Sequence, residues 1–155
     1  MAKLEGRDRL LRKMRALPDE VRSAIRQALA EGADEITDMQ KRLVPVKSGA
    51  LRNSIGSTFG KYKPANSNVR GVQAGTSGDP DLTVTIHAGD AKAFYASFVE
   101  FGTAPHTNQG RFAGTQHPGS RAQPFFYPAY RALRRRVKSR ITRATTKAAR
   151  KVASS

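Results

Sequence analysis

The sequence has no cysteine. That excludes a disulfide framework, a thiolate metal site and a cysteine nucleophile, and it fits a reducing compartment. No apolar run approaches the roughly 18 residues of a membrane span. The N-terminal stretch MAKLEGRDRLLRKMRALPDE alternates charge with leucine and lacks the apolar centre of a signal peptide. These absences predict a soluble chain, made in the cytoplasm, with no membrane partner. Acid is also short and unevenly placed. Asp and Glu total 12 against 28 Lys and Arg, for a formal net charge of +16, and no acid follows Glu100. Residues 104–155 carry 12 basic side chains and no acidic one, so they supply +12 of the charge. Such asymmetry predicts a polyanionic neighbour: nucleic acid, or an acidic membrane or protein surface.

The catalytic inventory is equally thin. Three histidines are present, His87, His106 and His117. His106 and His117 have no neighbouring carboxylate or thiolate to complete a metal shell, so no metal site is expected. There is no nucleophile elbow, no phosphate-cradling GxxxxGK[ST] and no GxGxxG, and the acids form no pair suited to acid–base work. The expectation is a chain without cofactor that is not an enzyme.

At 155 residues the chain is expected to form one domain with appendages. Residues 18–43 read as a long helix with the stripe Val21, Ile25, Ala28/Leu29, Gly32, Ile36, Met39, Leu43. Pro18 suits its start, Asp19 and Glu20 suit the positive end of its dipole, and Val44-Pro45 ends it. Gly32 lies on the stripe, where it permits close packing of another element. A weaker helix at 3–16 reads as an arm. Strand composition follows at 54–59, 69–76 and 82–88, with a turn at 75–81 that makes a hairpin of the last two and a polar loop at 61–68. Residues 92–100 fit a short helix or a strand. Residues 104–123 show no periodicity and read as a structureless loop, mobile in the free subunit, with His106, Arg111, Phe112 and His117 as its assembly contacts.

A second long helix is expected from near Pro128, with the stripe Tyr130, Leu133, Val137, Ile141, Ala144/Thr145, Ala148, Val152. Its other faces carry Arg131, Arg134, Arg135, Arg136, Lys138, Arg140, Arg143, Lys147, Arg150 and Lys151. No acid offers an i,i+4 partner, so the helix repels itself and must be docked or neutralised by something else. These ten residues are the candidate contact with double-stranded DNA or an acidic partner; the plainer reading is a solvated face. Sequence-specific base reading is not indicated, because no zinc finger, basic zipper or RNA-binding aromatic signature is present.

Three short stretches belong together. They are VPVKSGALRNSI at 44–55, YASFVEFGT at 95–103 and QPFFYPAY at 123–130. Their order and spacing resemble the neck and tail-completion (head–tail joining) family of long-tailed double-stranded DNA bacteriophages, the lambda minor tail protein Z type. The resemblance rests on Pro45, Ser48, Gly49, Leu51, Arg52, Ser54 and Ile55 in the first block. Tyr95, Ala96, Val99, Glu100, Phe101, Gly102 and Thr103 carry it in the second, and Gln123, Pro124, Phe125, Pro128 and Ala129 in the third. It covers residues 18–140; the basic arm at 1–17 and the basic extension at 141–155 depart from the pattern. The resemblance implies a virion structural protein. It would form a six-fold homo-oligomeric ring that joins tail to DNA-filled head, against connector or stopper rings and tail-terminator or tail-tube proteins. The rival reading is a non-specific nucleic-acid-binding protein acting through its basic helix.

The expected fold is therefore α+β: two long helices on a small, mostly antiparallel sheet, with a long loop and basic ends. The block residues read as scaffold. Ser48-Gly49 makes a turn, Leu51 and Ile55 point into the core as the chain enters the sheet, Gly102 turns the chain, and Pro124 and Pro128 stiffen entry to the last helix. Glu100, between Val99 and Phe101, needs a partner if it is buried. Arg52 is the first candidate, Arg131 the second and an arginine of a neighbouring subunit the third; the alternative is a solvated glutamate at a helix end.

Overall fold

The computed structural model describes residues 17–60, 62–63 and 79–154. The expected arm helix at 3–16, the strand at 69–76 and most of the 61–68 loop lie outside the described residues. Helix α1 is Asp19–Leu43. It begins after Pro18, whose φ of −54° already suits a helix, and Asp19 and Glu20 at its start and Lys41 and Arg42 at its end complement the dipole. Val21, Ala28, Gly32 and Ile36 of the expected stripe are buried, and Ala33, Thr37 and Gln40 join them. The buried face is wider than one stripe because both strands of a sheet and the last helix contact α1. Leu43 is exposed; Val44, just past the helix, turns inward instead.

The first block does not run straight into the sheet as expected. Gly49 at φ 81° turns the chain, the Ser48 hydroxyl accepts from the Ala50 N–H at 3.4 Å, and one helical turn, α2 at Ala50–Asn53, intervenes. This turn aims Leu51 and Ile55 into the core, where both are buried. Ser54 then ties two segments together, donating to Leu51 O at 2.7 Å and accepting from Gly89 N at 2.9 Å. Strands β1, Gly56–Phe59, and β2, Val84–His87, pair antiparallel, with Gly56 opposite His87 and Phe59 opposite Val84. Asp79, at the approach to β2, is buried and accepts from Arg22 of α1 at 3.1 and 3.2 Å, which pins this segment to the helix. Beside it, Arg26 bonds Asp81 at 2.7 Å and lies over the Phe59 ring at 4.3 Å.

Of the expected short helix or strand at 92–100, the second half is helix. A turn at Phe94–Tyr95 leads into α3, Ala96–Phe101, and Gly102 closes it. The expected structureless loop is instead a β-hairpin. Strands β3, His106–Thr107, and β4, Gln116–His117, pair antiparallel, a 3-10 turn at Gly110–Phe112 lies between them, and Thr103 bridges Ser120. Strands of two residues are too short to show alternation. Polar bonds hold the hairpin instead, including Asn108 N–H to Thr115 O at 2.8 Å and Gln116 Nε2 to Thr107 Oγ1 at 3.1 Å.

Helix α4 spans Phe126–Ala153 without interruption, starting two residues before Pro128. It runs antiparallel to α1: Gln40 donates to Phe126 O at 3.3 Å, while Glu35 meets Arg136 and Glu31 meets Arg140 further along. At Gly32 the two helices pack closely. A Cβ there would lie 2.5 Å from Val137 Cγ1. Along α4 only Ala129 is fully buried; Leu133, Val137, Ile141, Ala144, Thr145, Ala148 and Val152 are half-buried, and Tyr130 of the expected stripe is exposed. The fold is α+β, two long helices packed with small antiparallel sheets.

One core cluster joins Val44, Leu51, Ile55, Ala93 and Phe125, with Tyr95, Ala96, Val99 and Phe126 packed against it. All but Ala93 and Ala88, which also packs against the cluster, come from the three blocks. The blocks are thus three walls of one small core. Phe125, 1% exposed, is its largest member, and truncating such a residue to alanine costs about 3–5 kcal/mol.

Candidate functional site

Glu100 lies where the second block meets the third. It is 6% exposed, so its carboxylate has left water. Its partners are backbone groups. Oε2 accepts from the N–H groups of Phe125 and Phe126, both at 2.8 Å, and Oε1 accepts from Tyr127 N–H at 3.1 Å. These are the first donors of α4, and the next residue, Pro128, has no N–H. A helix N-terminus leaves four donors without intrahelical partners. Here three are taken by one side chain and proline removes the fourth. The positive end of the helix dipole favours the negative charge as well. This corrects the expected partners: neither Arg52 nor Arg131 pairs with Glu100, both are exposed, and Glu100 is not a solvated residue. The physical reason is that three N–H groups and a helix dipole satisfy a carboxylate as a cation would. The sequence held one sign of this. Phe125, at the cap position of α4, has no side-chain oxygen and makes no side-chain cap bond. A long helix with no cap of its own needs one from elsewhere.

The same junction explains Gly102. Its φ is 72°, in the left-handed region. A Cβ there would meet Ser120 O at 2.6 Å and Ala122 N at 2.8 Å. The chain returning from the hairpin passes directly against Gly102, and Gln123 N–H donates to Val99 O at 2.8 Å. Thr103 pairs through its backbone with Ser120 at 3.0 Å each way. Glu100 and Val99 therefore bind the second block to the third, and Gly102 and Thr103 hold the chain that returns from the hairpin.

Around this junction lies an uncovered surface. Pro45, Arg52, Phe101 and Pro124 of the blocks are exposed. On the hairpin, His106, Arg111, Phe112 and His117 are all exposed, with Phe112 at 66%. His106 and His117 face each other across the strands with ring centres 4.9 Å apart. The third histidine is elsewhere: His87 stacks on Tyr62 at 3.9 Å and shares a hydrogen bond with Thr58 Oγ1 at 3.3 Å, and burial pushes its imidazole below the ordinary value. Among the described residues no three His, Cys, Asp or Glu side chains gather as metal ligands. No described helix is long and apolar enough to cross a membrane. A groove of about 530 Å³ lies between the far ends of α1 and α4, with Ala24, Ala28, Ala144 and Ala148 among its lining residues.

The basic helix is partly neutralised within the chain. Arg136 bonds Glu35 at 3.0 Å, and Arg140 meets Glu35 at 2.9 Å and Glu31 at 3.9 Å. The acids that the helix lacks come from α1, about a hundred residues earlier. Arg131, Arg134, Arg135, Lys138, Arg143, Lys147, Arg150 and Lys151 remain exposed.

A protein-family model described as "Bacteriophage HK97-gp10, putative tail-component" matches residues 8–102, more than half of the chain. The chain belongs to this HK97-gp10-like family. No curated protein and no solved structure gives a significant match. Membership carries the broader part of the sequence expectation: a phage structural component of the tail region, and so of the virion. It does not reach the narrower lambda minor tail protein Z type. The HK97-gp10-like span holds the first block whole and the second up to Gly102. The third block, the hairpin and the basic helix lie beyond it.

Proposed function

We propose that the chain is a neck component of a tailed phage, a tail-completion protein of the lambda minor tail protein Z type. It assembles as a ring, six-fold, between the tail and the DNA-filled head. Its neighbours are connector or stopper rings on one side and tail-terminator or tail-tube proteins on the other. The observation that supports this most is the division of labour around Glu100. Buried block residues build one rigid core, while the hairpin and the aromatic residues beside that core are left for contact. Native mass spectrometry of the purified chain, alone and after mixing with isolated tails, tests the ring. A closed oligomer that appears alone or on tails supports it, and a monomer in both conditions contradicts it.

The exposed face of α4 favours a second reading, non-specific binding of nucleic acid. Arg136 and Arg140 are already held by α1, so Arg131, Arg134, Arg135 and Lys138 are the residues to neutralise. On this reading the chain binds double-stranded DNA with an affinity that falls steeply with salt. Replacing those four residues with glutamine flattens the slope. No binding at low salt removes DNA and leaves an acidic protein surface as the partner of α4.

A further inference from the structure

An apolar ridge runs beside the Glu100 junction. Phe94, Phe98 and Phe101 follow one another at steps of four and three, and all three are exposed. The opposite side of the same segment, Tyr95, Ala96 and Val99, packs on the core. Phe101 leans on Tyr127 of α4 with ring centres 6.0 Å apart, and Tyr130, one turn on, is exposed too. The ridge therefore continues from α3 onto α4. On α4 its charged border is cationic. Arg131 and Arg134 follow Tyr127 and Tyr130 by four residues on α4 and are exposed. The carboxylates close in sequence are occupied: both oxygens of Glu100 hold the α4 N-terminus, and Asp90 accepts from the backbone of Lys92 and Ala93. No acid follows Glu100.

We propose that this ridge docks a segment of a different protein, one whose apolar side chains are flanked by Asp or Glu. The proposal rests on the assembly reading above and names the chemistry of one neighbour. Charge complementarity selects this occupant. A second copy pressed ridge to ridge would set Arg131 and Arg134 against their own images. Single-stranded nucleic acid fits less well, because stacking needs open, parallel ring faces. Phe101 and Tyr127 are tilted by 44°, and Phe94 meets Tyr95 edge-on at 82°, so these rings pack on one another.

Fluorescence anisotropy on the full chain tests this with three labelled probes: a short amphipathic Leu/Glu peptide, the same peptide with Lys for Glu, and an oligo(dT) strand. The Leu/Glu peptide is expected to bind and to weaken with salt, and the Leu/Lys peptide is not. Phe98→Ser with Phe101→Ser weakens the Leu/Glu peptide by about tenfold or more, as loss of a buried aromatic anchor does, with an unchanged Tm. If the double variant does not fold, Phe101→Ser alone serves, since that side chain is 67% exposed. Equal binding of the two peptides, or an unaffected Phe variant, overturns the proposal. Oligo(dT) binding lost in the Phe variant replaces it with a single-strand platform. Self-association of the wild type that is lost in the variant replaces it with a contact between copies. Ring mass and peptide affinity are separate readouts, so failure here leaves the neck assignment standing.

Discussion

A carboxylate withdrawn from water must find donors, and Glu100 finds them on the backbone of Phe125, Phe126 and Tyr127. Glu100→Gln keeps the shape but removes the charge and turns an amide N–H₂ toward N–H groups. The expected loss is about 2–4 kcal/mol in urea unfolding, from charge-assisted bonds lost at a buried site. Arg52→Gln and Arg131→Gln are expected within about 0.5 kcal/mol of wild type, as for surface substitutions. A Glu100→Gln variant as stable as wild type would show that the junction is held by packing alone. Asp79 is a second residue with a charge role. Burial by itself pushes its carboxyl up, but the backbone N–H of Asp81, the Arg22 guanidinium and the backbone of Leu82 together bring it below the usual value. A carboxyl whose folded pKa is lowered contributes stability that is full above its unfolded value, about 4, and lost as pH falls through the folded value. Wild type should therefore lose stability below about pH 4. Asp79→Asn should be less stable at pH 7 and lose less on acidification. Equal acid sensitivity of the two proteins would remove Asp79 from that account.

Among the elements, the contact between α1 and α4 was partly legible in advance. The α1 stripe and the place of Gly32 on it follow from periodicity, and Val137 lies against that glycine. Gly32→Ala gains up to about 1 kcal/mol of helix propensity. It also forces the helices apart, at a cost of about 1–3 kcal/mol. The single variant is expected to be destabilised, and Gly32→Ala with Val137→Ala to be more stable than the two separate losses predict. Strict additivity in that cycle would mean that the helices do not touch there. The hairpin was not legible. Its strands are two residues long, its bonds are polar and its residues are exposed, so it leaves no hydrophobic pattern to read. The α2 turn was missed for a related reason, since Ser48 and Gly49 mark a turn without saying that a helical turn follows. The partner of Glu100 was missed because sequence spells side chains, whereas its donors are main-chain groups brought near by the fold. Deleting residues 107–120 removes the mostly exposed hairpin, with Ser120 that pairs with Thr103, and keeps the Glu100 cap and the third block. The shortened chain is expected to fold, with a Tm near wild type, and to fail in joining heads to tails. Infectious particles made with the shortened chain would deny the hairpin its assembly role.

For the whole molecule, whose net charge is +16, the cationic side chains of α4 fall into two groups. One is internal, where Glu31 and Glu35 of α1 meet Arg136 and Arg140 of α4. Those pairs are only partly covered and contribute on the order of 1 kcal/mol or less each. The other is an outward cationic face on α4, continuous with an aromatic ridge and lying beyond the HK97-gp10-like span. A core built from three separated blocks, capped by one buried carboxylate, gives the rigid body on which such surfaces can be presented to neighbours. The most direct test of this account is electron microscopy of lysates from the phage that encodes the chain, with an early stop codon in its gene. The account predicts DNA-filled heads and complete tails that stay separate, and joining restored by adding the purified wild-type chain. Joined, infectious particles formed in the absence of the chain would contradict it.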